Sequence, residues 1–332
     1  MMRQNLTSDS LITDTLRKAG VPCDVVGIVE TVAGACRAIA AGLRNDGVTA
    51  AKSKNNFGDD VLSVDVMADK IISEALNSCQ HVASYVSEES PSLASTAHSG
   101  KATYSVSYDP LDGSSIITSN FTVGSIFAVW PGNTPIGLTV RDMAASVVAV
   151  YGPRVVLFVG QEELGVAEFF CGADGEWKLA KRVWAGVCTP RTATVTAAGR
   201  GVKLKATVFS PGNLRAVRHL PWYKQLITMY MQEGATLRYT GGMVPDVCQI
   251  IVKGDGIYMT PASPQHKMKL RLLFEAAPMA FLIHCAGGRS TTGLTNMMNV
   301  RVVSMEQTTP IALGCARDVE RYERMCRGCS KL

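Results

Sequence analysis

The sequence is short of charge. Charged residues make up 18% of it and hydrophobic residues 47%, a balance that excludes a disordered chain and predicts a compact globular protein. It has no dense basic run with interleaved aromatics. Lys plus Arg 33 against Asp plus Glu 28 leaves only +5, which suits a small anionic ligand and argues against nucleic acid. The longest apolar region, Met143 to Val159, is broken by Gly152-Pro153-Arg154 and is too short on either side to cross a bilayer. Met1 to Ser10 is polar and lacks the apolar stretch of a signal peptide, so a soluble protein with no membrane partner is expected. Ten cysteines lie scattered through the chain and read as free thiols of a reducing compartment, not as a disulfide framework. Cys326-Arg327-Gly328-Cys329 has redox or zinc spacing but no second pair, and reads as two thiols on a frayed tail. No internal repeat and no low-complexity tract is present.

What the chain does have is length and alternation. Its 332 residues suit about two domains. Residues 11–43 recur at helical spacing in two stretches around Gly20-Val21-Pro22, and a further helix begins near Ser63 after the polar loop Asn45 to Asp60. Strand-like runs are Tyr104 to Tyr108, His81 to Ser87, Val123 to Trp130, Val147 to Tyr151 and Val155 to Val159. Pro190 to Lys205, rich in Thr, Ala, Gly and basic residues, marks a boundary. It divides an N-terminal α/β domain, 1–195, from a C-terminal α/β domain, 196–332. Beyond it come a helix from Pro221 to Glu233, a strand-like run Val247 to Lys253 and a helical region Lys269 to Cys285 closed by Gly287-Gly288. The expected class is α/β in the α+β layered sense, with alternating helix and sheet layers in two domains.

The densest chemistry lies in Asp109-Pro110-Leu111-Asp112-Gly113-Ser114-Ser115. Two carboxylates three residues apart follow a strand, a proline fixes the backbone between them, and a glycine lets the chain turn before two hydroxyls. Hard divalent cations such as Mg²⁺ take oxygen ligands, usually one or two carboxylates plus phosphate oxygens, and amides exposed after the glycine suit a phosphate. The alternative is an Asp- and Gly-rich surface turn. Three more acidic sites sit in poor company for charge. Glu88-Glu89 ends a strand as two adjacent carboxylates, Asp65 opens a helix, and Glu275 lies among Leu270, Leu272, Leu273, Phe274, Ala276 and Ala277. Alone, these would read as a solvated pair, a helix N-terminal charge and a salt-bridged core Glu.

Three segments, Val86-Ser87-Glu88-Glu89, Asp109 to Ser115, and Lys269-Leu270-Arg271-Leu272-Leu273-Phe274-Glu275-Ala276-Ala277-Pro278, resemble the signatures of the fructose-1,6-bisphosphatase family, in order and spacing, from about Leu11 onward. The Trp-Asp motif of the inositol monophosphatases is missing. Within the family, the chain is similar to the branch that hydrolyses sedoheptulose 1,7-bisphosphate, through Asn120 to Gly124, Tyr151 to Arg154, Phe209 to Ala216 and Thr236 to Val247. Fructose bisphosphatases usually show a Ser-Leu-Asn-Glu-Gly-Tyr segment where this chain has Ser210 to Arg215. The resemblance implies the sugar-phosphatase fold and Mg²⁺, with Mn²⁺ as the alternative ion, held by Glu88, Asp109, the carbonyl of Leu111, Asp112 and Glu275. Asp59 would join when its loop closes. It implies that Asp65 and Glu89 orient and deprotonate the attacking water, and that Asp112, Gly113, Ser114 and Ser115 surround the scissile phosphate. Asn213, Arg238, Tyr239 and Lys269 would hold the distal phosphate, with Arg238 able to reach in from a neighbouring subunit, and Met243 would line the sugar.

The implied reaction is release of the 1-phosphate from a sugar bisphosphate. Fructose 1,6-bisphosphate or dual specificity is the nearest alternative, and an inactive sugar-phosphate-binding protein the remote one. A homo-oligomer, a dimer rather than a tetramer, is expected. Thr103-Tyr104 stands where the family's AMP site has Lys-Tyr, and Cys23, Cys36 and Cys79 do not form the spaced pair of thioredoxin-sensitive plastid enzymes. The C-terminal Ser330-Lys331-Leu332 reads as an address for the peroxisomal import receptor, giving a peroxisome or glycosome location, with the cytoplasm as the alternative.

Overall fold

Side chains that alternate in and out along the strands give two sheets, and each sheet needs cover on both faces. A computed structural model describes residues 10–45, 50–54, 60–183, 208–266 and 268–329. Chain order begins with α1 (Ile12–Lys18), α2 (Cys23–Asn45), β1 (Ala50–Lys54), β2 (Asp60–Leu62), α3 (Ser63–Ser78), β3 (Val82–Ser87) and β4 (Ala94–Ser95). Next are β5 (Tyr104–Asp112), α4 (Ser114–Ile117), β6 (Val123–Pro131), β7 (Ala145–Tyr151), β8 (Val155–Gln161), β9 (Gly165–Cys171) and β10 (Trp177–Val183). The second half holds β11 (Val208–Pro211), α5 (Pro221–Gln232), β12 (Thr236–Leu237), α6 (Met243–Lys253) and β13 (Ile257–Thr260). A π-turn, Leu272–Ala276, then leads into α7 (Ala277–Cys285), β14 (Arg289–Thr291), β15 (Ile311–Gly314) and α8 (Ala316–Cys329).

The first large sheet has the order β10-β9-β8-β7-β6-β5-β3-β4 and the second β12-β11-β13-β15-β14, while β1 and β2 form a separate antiparallel pair. Period-two alternation sorts their side chains into three cores. From β6, Phe127 and Val129 point into an outer core with Val25, Ile28, Val32 and Cys36 of α2 and Ala68 and Ile72 of α3. The intervening Ile126, Ala128 and Trp130 point the other way, onto α6 and α7. Those two helices are shared. Tyr258 of β13 and Leu313 of β15 cover their far side, while Ile257 and Met259 join α5 and α8 in the third core. The layers therefore run helix, sheet, helix, sheet, helix. α2 is the helix, among the described residues, long and apolar enough by composition to span a bilayer. Here its apolar stripe is consumed by the outer core.

Several expectations change. Val247 to Lys253 is the second half of helix α6, not a strand. The run Val247, Cys248, Ile250, Ile251 is buried between two sheets, so a sandwiched helix shows the same short β-branched apolar run as a buried strand. β5 does not stop at Tyr108 but carries the metal loop's carboxylates within it, to Asp112. The Cys326 end is no frayed tail, since α8 continues to Cys329 and Cys326 packs on the third core. Cys23, Cys36, Cys79, Cys171, Cys248, Cys285 and Cys326 are free as expected, while Cys315 is disulfide-bonded. Strands β9 to β11, β13 and β15 were not legible, being short or interrupted by charges such as Glu168 and Lys178. The expected boundary at 195/196 lies outside the described residues.

Gly124 stands opposite Asp112 in the β5–β6 pair, and a Cβ there would collide with the Ala149 carbonyl and the Val244 side chain. Gly124→Ala is expected to cost about 1–3 kcal/mol, because strand and helix must part. A urea midpoint equal to wild type would contradict this close approach.

Candidate metal and phosphate site

Parallel pairing of β3 with β5, in a register that sets Ser87 opposite Tyr108, brings the end of one strand against the middle of the other. The Glu88 amide donates to the Tyr108 carbonyl at 3.0 Å, which lays the Glu88 side chain beside Asp109. The third carboxylate arrives from the other half of the chain. Trp130 Nε1 donates to Ser107 Oγ at 2.9 Å, and Ser107 Oγ donates to the Leu273 carbonyl at 3.1 Å. That tie seats the π-turn carrying Glu275 on β5, and one oxygen each of Glu88, Asp109 and Glu275 falls within 4.8 Å of the others.

Like charges at about 5 Å repel by roughly 3 kcal/mol per pair at an effective dielectric near 20. Burial, then Glu88, Asp112 and Glu275, hold the Asp109 carboxyl well above its ordinary range. Burial and Glu88 do the same to Glu275, opposed by the amide and charge of Arg271. Arg271 is buried between two leucines; its amide donates to Glu275 Oε2 at 2.7 Å and its guanidinium pairs with Glu88. Acceptor oxygens alone, buried and crowded, form the donor set of a hard divalent cation.

Asp112 closes the group from the side. Its Oδ1 accepts from the Met243 amide at 3.1 Å and its Oδ2 from the Val244 amide at 2.7 Å. The carboxylate thus caps the positive end of α6. Burial pushes it up to about 6 against the pull of those two amides. Gly113, at φ +84° in the left-handed region that glycine adopts without cost, turns the chain into α4. Ser114 is half-buried there and Ser115 exposed. Asp65, in the first turn of α3, accepts from the Leu62 amide at 2.8 Å. Burial pushes it up to about 6, opposed by that amide and by the Ser114 hydroxyl. Glu89 is pushed up to about 7 by burial, then by Asp65, Glu88 and Asp69. A carboxylate titrating near neutrality beside the metal group has the proton affinity of a general base.

Of the residues expected at the distal phosphate, Asn213 follows the end of β11, and Arg238 and Tyr239 the end of its parallel neighbour β12, where ligands commonly bind in such sheets. The Arg238 amide donates to the Phe209 carbonyl at 3.0 Å, leaving its exposed side chain at the rim beside half-exposed Tyr239. Asn213, at φ +48°, commits its Nδ2 to the Pro261 carbonyl at 3.0 Å. Lys269 is exposed. The Met243 side chain lies in the middle core, with its amide on Asp112. Asp59 lies outside the described residues.

Residues 9–182 match the family description "Fructose-1-6-bisphosphatase, N-terminal domain" and residues 202–327 its C-terminal domain. The chain belongs to the fructose-1,6-bisphosphatase family. A chloroplastic sedoheptulose-1,7-bisphosphatase of Triticum aestivum is 40% identical over 99% of this chain and 81% of its own length. A class 1 fructose-1,6-bisphosphatase of Geobacter sulfurreducens is 34% identical over 92% of this chain and 91% of its own. A Toxoplasma gondii crystal structure superposes with TM-score 0.85 at 30% identity, covering 96% of this chain and 99% of that one. The holo Leishmania major fructose-1,6-bisphosphatase, at 23% identity and TM-score 0.82 over 98% and 100% of the two chains, shares the fold.

Against this family frame, sequence reasoning overlooked Arg271, Asp69, Asp246 and Arg215. A charge flanked by Leu270 and Leu272 was the available signal for Arg271. Asp69 accepts from Tyr108 at 3.0 Å and from Ser87 and had no signal, looking like one more polar helix residue. Asp246 accepts from the Thr240 amide at 3.1 and 3.0 Å, holding the loop ahead of α6. Arg215 lies close enough to Tyr239 to oppose the rise that burial, Asp246 and Asp112 impose on its phenol.

Raised carboxylates bind protons more tightly folded than unfolded, so their contribution is present below the unfolded value near 4 and is lost as pH rises through 6 to 7. The metal-free protein is therefore expected to melt at lower temperature at pH 8 than at pH 5, and added divalent metal to raise Tm most at pH 8. Thermal melts across that range check this; a metal-free Tm rising from pH 5 to 8 would contradict it.

Proposed function

We propose that the protein is a metal-dependent phosphatase that removes the 1-phosphate of sedoheptulose 1,7-bisphosphate, leaving sedoheptulose 7-phosphate and inorganic phosphate. The observation that carries this reading is the gathering of Glu88, Asp109 and Glu275 within 4.8 Å beside a glycine turn with two hydroxyls. The 40% identity with the Triticum aestivum sedoheptulose-1,7-bisphosphatase, over 99% of this chain, supports the substrate. With Asp112 and the Leu111 carbonyl, those carboxylates would hold Mg²⁺, or Mn²⁺ with the same oxygen preference; Asp59 would be a further ligand. Bound metal would neutralise phosphoryl charge, lower the pKa of a water and stabilise the leaving alkoxide.

The chain's own residues divide the remaining work. Asp65 and Glu89 would orient the water and take its proton. Gly113, Ser114 and Ser115 would hold the scissile phosphate through amides and hydroxyls, and Asn213, Arg238, Tyr239 and Lys269 the distal one. Met243, whose side chain lies in the middle core, would border the sugar only through its backbone. One Nδ2 proton of Asn213 is already engaged by the Pro261 carbonyl, so its contribution would be through the second N–H or by fixing the loop. The functional division would follow 1–195 and 196–332. Arg238, exposed after edge strand β12, supports a dimer in which it crosses to a neighbour, ahead of a tetramer.

Fructose 1,6-bisphosphate is the second reading, favoured by the Geobacter relative. Phosphate release from each ester, with and without Mg²⁺, separates the two: a higher kcat/KM for the sedoheptulose ester and no turnover without metal are expected. A preference for the fructose ester would overturn the substrate. Asp109→Asn keeps an oxygen for the Leu111 amide and should lower kcat by about 100-fold or more. Activity within a few-fold of wild type would overturn the metal assignment, and no phosphate release from either ester by the wild-type protein would favour the inactive sugar-phosphate-binding reading.

The proposal extends to location and control. Ser330-Lys331-Leu332, which lies outside the described residues, would direct import into a peroxisome or glycosome, with cytoplasmic residence as the alternative; the wheat relative is described as chloroplastic. AMP and dithiothreitol should leave activity nearly unchanged, and removing the tripeptide should strand an active enzyme in the cytosol. Strong AMP inhibition, or unaltered sorting of the truncated protein, would contradict this part.

A further inference from the structure

Between Asp109 and Asp112 the β5–β6 register slips: Asp109 pairs with Ile126 and Asp112 with Gly124. Two residues, Pro110 and Leu111, therefore stand opposite the single residue Ser125, which is the arrangement of a β-bulge. Proline has no N–H to give the ladder, and the bulge takes its carbonyl out of register as well. Ser125 Oγ meets that carbonyl at 2.7 Å. A carbonyl only accepts, so the serine spends its one proton there. In its 2.8 Å contact with Tyr151 Oη Ser125 must then accept, and Tyr151 must donate. Tyr151 in turn neighbours the Cys36 thiol, which burial pushes up to about 12. Cys36 thus keeps its proton and can give it to the tyrosine oxygen. Every hydroxyl in this chain has one direction, and all three side chains are buried.

The chain ends on a single rigid unit. The carbonyl of Pro110 and the amide of Leu111 belong to one planar peptide. The carbonyl is held by Ser125, and the amide donates to Asp109 Oδ1 at 2.9 Å. Turning that plane would release the Asp109 carboxylate and redirect the Leu111 carbonyl that follows. We propose that Ser125 and Tyr151 are positioning residues, clamping the Pro110–Leu111 peptide so that Asp109 is aimed at the metal. This rests on the metal site proposed above. Groups that orient ligands typically change metal affinity by about 10–100-fold when removed.

The test is calorimetric titration of the metal-free full-length protein with Mg²⁺ and with Mn²⁺, together with Tm and kcat at saturating metal. Ser125→Ala should weaken metal binding about tenfold and Tyr151→Phe about threefold. At saturating metal, kcat should stay within about twofold, because the metal restores the geometry once bound. Ser146→Ala serves as the control. Its hydroxyl is buried in the same sheet with no hydrogen-bond partner among the described residues, and its removal should leave metal affinity unchanged. Wild-type affinity in Ser125→Ala, even with a lowered Tm, would show a merely structural serine and overturn the clamp. Should Ser125→Ala fail to fold, Tyr151→Phe keeps the ring's volume and decides by the same criterion. A wild-type protein that binds neither ion would instead overturn the metal site itself, and the clamp's role with it.

Discussion

Carboxylates forced together without water repel, and the architecture around the site answers that repulsion. Glu88 is carried by β3, Asp109 and Asp112 by β5, Glu275 by a π-turn from the far half of the chain, and Asp65 and Glu89 stand behind them. Left to themselves these groups would separate or take up protons, and their raised pKa values show the second response. Three features oppose separation. Parallel strand pairing fixes Glu88 against Asp109, the Trp130–Ser107–Leu273 tie fixes Glu275, and the amides of α6 fix Asp112. Arg271 supplies part of the missing positive charge within the protein, and a divalent cation would supply the rest.

The same contacts explain why two sheets and a shared helical layer form one working unit. α6 belongs by sequence to the second half but starts on a carboxylate of the first. Met243 and Val244 serve the site through their amides, while their side chains fill the core between the sheets. Substituting Asp112 by alanine would therefore remove a helix cap as well as an expected ligand, and lost turnover in that variant would have two causes. Asp109→Asn is cleaner, because Asp109 caps nothing beyond its own loop.

Much of this was legible in the residues. Helices α1 to α3 followed from apolar spacing and from Gly20 and Pro22, and the site carboxylates from charges in apolar company. α6 was not legible. Val247 to Lys253 alone is too short a window to show helical spacing; the period emerges only with Met243 to Asp246 included, where Pro245, Gln249, Val252 and Lys253 fall on the less buried face. Arg271 was passed over although it met the criterion that singled out Glu275. Ser107, Ser125 and Tyr151 could not have been found by inspection. A hydroxyl within a strand carries no mark of the carbonyl it will meet across a bulge or a layer.

A fold-imposed carboxylate cluster, which burial and mutual repulsion push towards the protonated form, would be completed by a divalent cation. Metal binding should then expel protons. Calorimetric titration with Mg²⁺ at pH 6.5, repeated in buffers of different ionisation enthalpy, measures that release directly. Binding with net proton release that diminishes by pH 8.5 is expected. Binding without proton release at pH 6.5, or no binding at all, would contradict it.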